Sequence, residues 1–261
     1  MAGSQKRKAR RTKPLPIVDA MSRLDLMLKA IESETRDAIW AKATLEVGND
    51  IVMAHYHGQA FVGADCYNVL RNGTQTALIL SLCKLFERPR ARQGLSEVTA
   101  LNRSDLASIP LFLHLLKQKR CRAKLIERAS AGWDGNSLGM SQKWEKDCLA
   151  ALQCCDEAAR RLRSIGGRRA AATLAVFRDD HVAHLYAQPR PWNANRYNEL
   201  FLLLDIAADL VSRACIVLEG RNLDFKEREQ LWMEEARAFW KPALAAAIAA
   251  DPSAMENADA K

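Results

Sequence analysis

Apolar residues recur at three- and four-residue spacing along almost the whole chain, and no stretch of useful length alternates as a strand would. Ile17, Met21, Leu24, Leu28 and Ile31 form the first stripe. It predicts a helix to about Val47, broken at Gly48-Asn49-Asp50, with a short helix from Ile51 to about Phe61. Glu32 and Arg36 are placed for an i, i+4 pair on its polar face. Asp65 to Phe86 gives the strongest pattern, with Leu70, Ala77, Leu78, Leu82 and Leu85 as its apolar face and Glu87-Arg88-Pro89 as its stop. A basic loop, Pro89 to Gly94, and a turn at Leu95 to Val98 come next. Ser104 caps a predicted helix that bends at Pro110 and reaches about Arg128.

Gly132, Gly135 and Gly139 mark a turn-rich linker. Ser141 caps a long helix to about Ile165, with Arg160, Arg161 and Arg163 suited to its C-terminal dipole and Gly166-Gly167 as its end. A further helix is predicted from about Arg168 to Ala187, ahead of Pro189 and Pro191. Asn193 or Asn195 caps the next, which carries Leu200, Leu203, Ile206, Leu210 and Val217 and ends at Gly220. The last runs from Phe225 to Ala250, broken or kinked at Pro242.

Helices joined by short connections, with no repeat and no glycine-rich nucleotide loop, predict one all-α bundle over residues 17–250. Residues 1–16 read as a basic disordered tail and residues 251–261 as a disordered C-terminal tail. The formal net charge is +8, yet Lys6, Arg7, Lys8, Arg10, Arg11 and Lys13 account for six of those eight charges. The rest of the chain is nearly neutral, so the basicity is that of an arm and not of a nucleic-acid-binding body. Such an arm attracts phosphates weakly, or only aids solubility. Seven cysteines, an odd number without a Cys-x-x-Cys pair, predict reduced and mostly buried thiols. No apolar leader follows the basic start, and no apolar run is long enough to span a bilayer. The expected compartment is the cytoplasm, with no membrane partner.

Phe177-Arg178-Asp179-Asp180-His181-Val182-Ala183-His184 concentrates an arginine, two carboxylates and two of the five histidines in one segment. On a helix Phe177, His181 and His184 share a face, while Arg178 flanks it. Arg178 and His184 lie roughly 9 Å apart along the axis, and both reach a phosphate laid across the helix. A guanidinium that holds phosphate oxygens and an imidazole that moves a proton near neutral pH suit attack of an RNA 2′-hydroxyl on the adjacent phosphorus. Asp179 or Asp180 then fixes a histidine tautomer or orients Arg178. The plainer alternative is a structural network, with Arg178 paired to a carboxylate and His181 hydrogen-bonded in the core. A metal site using His181, His184 and Asp180 lacks the inward Glu and Glu-x-x-His elements of carboxylate-bridged bundles, and His55-x-His57 splits across two faces. No metal or cofactor is expected. Trp192 is placed for base stacking or packing, and Arg168 and Arg169, at a helix start where they oppose the dipole, for holding RNA backbone.

Arg178, five intervening residues and His184, with the polar Asp179 after the arginine, resemble the motif of the HEPN superfamily. The wording is similar to the Arg-Asp-Lys-x-x-Ala-His form of its AbiU-type abortive-infection branch. Thr76 to Glu87, followed by Leu95-Ser96, resembles that branch's long helix, loop and Leu-Ser turn. Asp180 stands where that form has lysine, and Leu185-Tyr186 where an acidic residue often follows the histidine. The resemblance implies a HEPN-like helical bundle with additional flanking helices. It also implies a metal-independent endoribonuclease of toxin or phage-defence type, with RNA as substrate, a homodimer completing the cleft and an antitoxin protein as a further partner. By resemblance Arg178, His184 and Asp179 are the catalytic residues, with Asp180 and His181 supporting them. Some members of the superfamily are instead inactive binding or scaffold modules, and that is the alternative expectation here.

Overall fold

The computed structural model describes residues 15–57, 61–87, 106–133, 140–178 and 197–249. Among the described residues there are eight helices and no strand. They are α1 (Ile17–Tyr56), α2 (Ala64–Phe86), α3 (Ile109–Leu116), α4 (Lys119–Ala131), α5 (Ser141–Arg163), α6 (Ile165–Phe177), α7 (Tyr197–Glu219) and α8 (Phe225–Ala249). Two helices organise the rest: α1 packs against α2, α3, α7 and α8, and α7 packs against α5, α6 and α1. Leu24, Leu28 and Ile31 of the first stripe are buried, as are Leu200, Leu203, Ile206, Leu210 and Val217 of α7. A main core spans α1 to α7 and the start of α8. A smaller cluster, Val47, Tyr67, Ala236, Trp240 and Leu244, closes the far end of α1 against α2 and α8.

Several breaks fall elsewhere than the sequence pattern places them, for identifiable reasons. α1 does not break at Gly48; it runs on for 40 residues to Tyr56. A Cβ on Gly48 would lie 3.0 Å from the Trp240 ring, so this glycine admits an indole and does not end a helix. Trp240 Nε1 donates to the Thr44 carbonyl at 3.0 Å across the same contact. Pro110 opens α3 and does not bend a longer helix, because its fixed φ suits a first turn. The chain then turns at Lys117-Gln118 into the separate α4. α8 passes unbroken through Pro242, with buried Trp240 and Leu244 on either side of it. Asp224 caps α8, its Oδ1 accepting from the backbone N–H of Lys226 at 2.8 Å and of Glu227 at 3.3 Å.

Glu32 pairs not with Arg36 but with Arg221, whose Nη2 lies 2.5 Å from its Oε2. Leu70 and Ala77, assigned to the core face of α2, are exposed; its buried set is Tyr67, Leu78, Ile79, Ser81, Leu82 and Leu85. All seven cysteines are free thiols, four of them buried. Burial pushes the Cys148 thiol up to about 11, and those of Cys155 and Cys215 up to about 12. No helix among the described residues is long and apolar enough to cross a membrane. The predicted Ser104 cap, the 89–98 loop and turn, and both tails from Met1 to Pro14 and beyond Ala249 lie outside the described residues.

Candidate functional site

The candidate site is approached along α6, which begins at Ser164 and not at the glycine pair. The Ser164 hydroxyl oxygen accepts from the Gly167 N–H at 3.2 Å, and the same hydroxyl donates to the Arg161 carbonyl at 2.6 Å. Gly167 is required because a Cβ there would stand 2.4 Å from the Arg161 carbonyl oxygen and 2.6 Å from that of Leu162. The glycine thus lets α6 start directly over the last turn of α5. Ala170, Thr173, Leu174 and Phe177 then recur at three- and four-residue spacing as the buried face of α6.

Phe177 is among the largest fully buried side chains of the protein. Arg178 follows it, half-buried, with helical dihedrals (φ −57, ψ −49), and its N–H donates to the Leu174 and Ala175 carbonyls. The backbone therefore carries helical geometry through the first residue of the motif. Asp179, Asp180, His181, His184 and Trp192 lie outside the described residues, as do Asn193 and Asn195.

Of the two arginines assigned to RNA, Arg168 is exposed and Arg169 forms an ion pair with Glu199 on α7. They do not stand at the helix start, which is Ile165, but in its second turn. Glu199 also accepts a hydrogen bond from the Thr173 hydroxyl. This pair of contacts clamps the middle of α6 to the first turn of α7.

Tyr197 opens α7, and its hydroxyl donates to Gln75 Oε1 of α2 at 2.5 Å. Burial pushes the Tyr197 hydroxyl up to about 12, against the opposing effect of Arg71, so it remains a neutral donor. Arg71 stands one turn before Gln75 on α2, and its buried Nε has no hydrogen-bond partner among the described residues. Sequence reasoning missed Arg71, Gln75, Tyr197 and Glu199. One signal was present: between Asp65 and Lys84, Arg71 is the single charge on α2.

Two other polar clusters compete for attention. A cavity of about 440 Å³ between α1, α5, α7 and the start of α8 is lined by Lys42, Arg161, Asp205, Asp209 and Glu229 among others. Its charges largely answer one another, since Lys42 Nζ lies 2.5 Å from Glu229 Oε1 and Arg161 pairs with Asp209. Burial alone would lower the Lys42 ammonium, but hydrogen bonds to Glu229 and Glu46 outweigh it and hold Lys42 above its ordinary range. Burial raises the Asp205 carboxyl at the same place. Glu32, Cys215 and Glu219 bring potential metal-ligand atoms within 4.8 Å of one another. The Arg221 guanidinium already supplies positive charge there, with Nη2 2.5 Å from Glu32, 2.9 Å from Glu219 and 3.4 Å from the Cys215 sulfur.

The eight helices of the described residues, packed around a shared core with Arg178 at the end of α6, define a HEPN-type α-bundle. The chain matches the family model described as AbiU2, of HEPN type, over residues 21–239, and it belongs to that family. No curated protein and no solved structure matches it.

Proposed function

We propose that this protein is a metal-independent endoribonuclease of the toxin or phage-defence type, cutting RNA at a site built on Arg178 and His184. The observation that carries the reading is the place of Arg178. It follows buried Phe177 directly, in helical conformation, at the end of a helix clamped to α7 by Thr173, Arg169 and Glu199. The helical backbone and the clamp fix the point from which the guanidinium reaches, which is part of the preorganisation a phosphate site needs. Membership of the AbiU2 family supports the same reading, because the match spans α6 and the motif beyond it.

In the proposed reaction, His184 takes the proton from a ribose 2′-hydroxyl, whose oxygen attacks the adjacent phosphorus. The bond from phosphorus to the 5′-oxygen breaks, and that oxygen leaves with a proton. The products are a 2′,3′-cyclic phosphate and a 5′-hydroxyl. Arg178 binds the non-bridging oxygens as charge builds on them, and Asp179 orients the pair, with Asp180 and His181 in support. Arg71 adds a second cation near Tyr197, and Arg168 and Trp192 hold flanking RNA. A homodimer completes the cleft, and an antitoxin protein is the expected inhibitor.

The test is the chemistry of the cut ends. RNA incubated with purified protein in EDTA is expected to yield 5′ fragments that end in a 2′,3′-cyclic phosphate. Ends with a 3′-hydroxyl would rule out attack by the 2′-oxygen. Intact RNA of every kind tried would favour a HEPN-type binding or scaffold role.

A further inference from the structure

The near-neutral sum of the chain beyond its basic arm conceals a local imbalance. Lys117, Lys119, Arg120, Arg122 and Lys124 lie within eight residues, and Arg160, Arg161, Arg163, Arg168 and Arg169 within ten, with no acidic residue in either run. The first run covers the α3–α4 turn and the start of α4, and the second the end of α5 and the start of α6. Because α4 packs along α5, the fold lays the two runs against each other. Arg161 and Arg169 turn to carboxylates of α7, Asp209 and Glu199. Lys117, Lys119, Arg163 and Arg168 are exposed and have no ion pair among the described residues.

The runs meet at Asp156. The Arg122 guanidinium donates to both oxygens of this carboxylate, at 2.6 and 2.9 Å, and its Nε donates to the Leu116 carbonyl at 3.0 Å. That last bond brings the backbone next to Lys117 to the same place. On α5, Arg160 and Arg163 follow Asp156 at i+4 and i+7 and so share its face. Four cations, Lys117, Arg122, Arg160 and Arg163, therefore gather about one carboxylate, and Glu157 answers Arg160 at 3.6 Å. Two positive charges are left over. Burial and the nearby Arg163 push the Lys117 ammonium below its ordinary range, against the pull of Asp156. Arginines at the end of α5 complement its dipole, but Lys119 and Arg120 open α4, where they oppose it. Helix dipoles thus do not account for the cluster, whereas an anion laid across it would relieve the repulsion.

We infer that the α3–α4 turn and the end of α5 form a surface that holds the sugar-phosphate backbone of RNA away from the cut site, with Lys117 and Arg163 as its main phosphate contacts. The face from Asp156 to Arg163 extends about 10 Å along α5, and exposed Arg168 follows in the second turn of α6. Cations spread in this way suit phosphates in series more than one small anion, and they position a strand without reading its bases. Helix α6 starts at this surface and ends at Arg178, about 20 Å away along its axis. The cluster therefore holds a distal part of the strand and takes no part in breaking the bond. This inference deepens RNA as the substrate of the proposed function and rests on that reading.

The experiment is equilibrium binding of the full chain, by fluorescence anisotropy, to a single-stranded RNA whose 2′-hydroxyls are methylated and so cannot attack, at several salt concentrations. Lys117→Gln/Arg163→Gln is expected to raise Kd roughly 10-fold and to flatten the slope of log Kd against log salt by about 1.4, the value for two phosphate contacts on a single strand. Asp156→Asn removes the carboxylate that the cations share and should tighten binding. Lys29→Gln/Arg237→Gln changes exposed cations on α1 and α8 and should leave both quantities as they are. Circular dichroism should be the same for all four proteins. Wild-type affinity and slope in Lys117→Gln/Arg163→Gln would overturn the inference, and so would Asp156→Asn that fails to tighten binding. An equal loss in Lys29→Gln/Arg237→Gln would reduce the effect to net charge and overturn it too. So would a loss confined to vesicles of anionic phospholipid, which would make the surface a membrane contact. Binding is read apart from cutting. A protein that binds through these residues and leaves unmethylated RNA intact would refute the nuclease reading and keep the surface. One that cuts RNA with the same KM after Lys117→Gln/Arg163→Gln would do the reverse.

Discussion

Single residues decide how the candidate site is held. Gly167 is the sharpest case. Alanine for glycine in a helix usually stabilises by about 0.5–1 kcal/mol, but here a Cβ would meet two backbone carbonyls that cannot step aside. Overpacking costs about 1–3 kcal/mol and wins. Gly167→Ala is therefore expected to lower Tm by several degrees in calorimetry, and an unchanged or raised Tm would show that α6 does not start so close over α5. Gly73→Ala, free of such neighbours, should behave as an ordinary helix substitution. The same contrast shows what could be read in advance. Gly48, Gly73 and Gly167 look alike in the sequence; whether each ends a helix, admits an indole or opens a face depends on residues up to 192 positions away. Glu32 was equally opaque, because its partner Arg221 is 189 residues distant and Arg36 is only four.

At the scale of elements, periodicity carried most of the reading because burial in an α-bundle follows the 3.6-residue turn. The stripes of α1 and α7 are buried as their spacing requires. Leu70 and Ala77 of α2 are apolar yet exposed, so the same rule assigned them to the wrong side. Helix ends were less legible, since Ser164 and Asp224 cap through geometry that composition alone does not select among several candidates. Asp224→Ala should cost about 1 kcal/mol by loss of the cap on α8, measured as a shift in urea midpoint with unchanged slope. Between α4 and α5, the Arg122 guanidinium meets Asp156 at 2.6 Å and, by that hydrogen bond, holds its carboxyl below the ordinary range. A lowered carboxylate contributes stability above its unfolded pKa and loses it as pH falls through the folded value. The pair is partly exposed, so the contribution is at most about 1 kcal/mol. Urea melts of Asp156→Asn should show that deficit at pH 7 and a shrinking one as pH falls below about 4. A deficit that does not shrink with acidification would mean the pair acts through packing and not charge.

For the whole molecule, the all-α class and the AbiU2 family were both within reach of the sequence, because the motif and the upstream helix carry enough wording to be recognised. The surroundings of the motif were not. Thr173, Arg169 and Glu199 join two helices, and Tyr197, Gln75 and Arg71 join α2 to the start of α7. None of these links has a sequence spacing that announces it. They tie the end of α6, through the first turn of α7, to α2.

The most direct measurement is the single-turnover rate of RNA cleavage in EDTA by wild type, His184→Ala and Arg178→Ala, each checked for unchanged helicity. Loss of a general acid or base costs about 100- to 10,000-fold, and loss of the phosphate-binding guanidinium should fall in a similar range. The account predicts cleavage by the wild type and a fall of that size in both variants. Cleavage that survives both substitutions would contradict it.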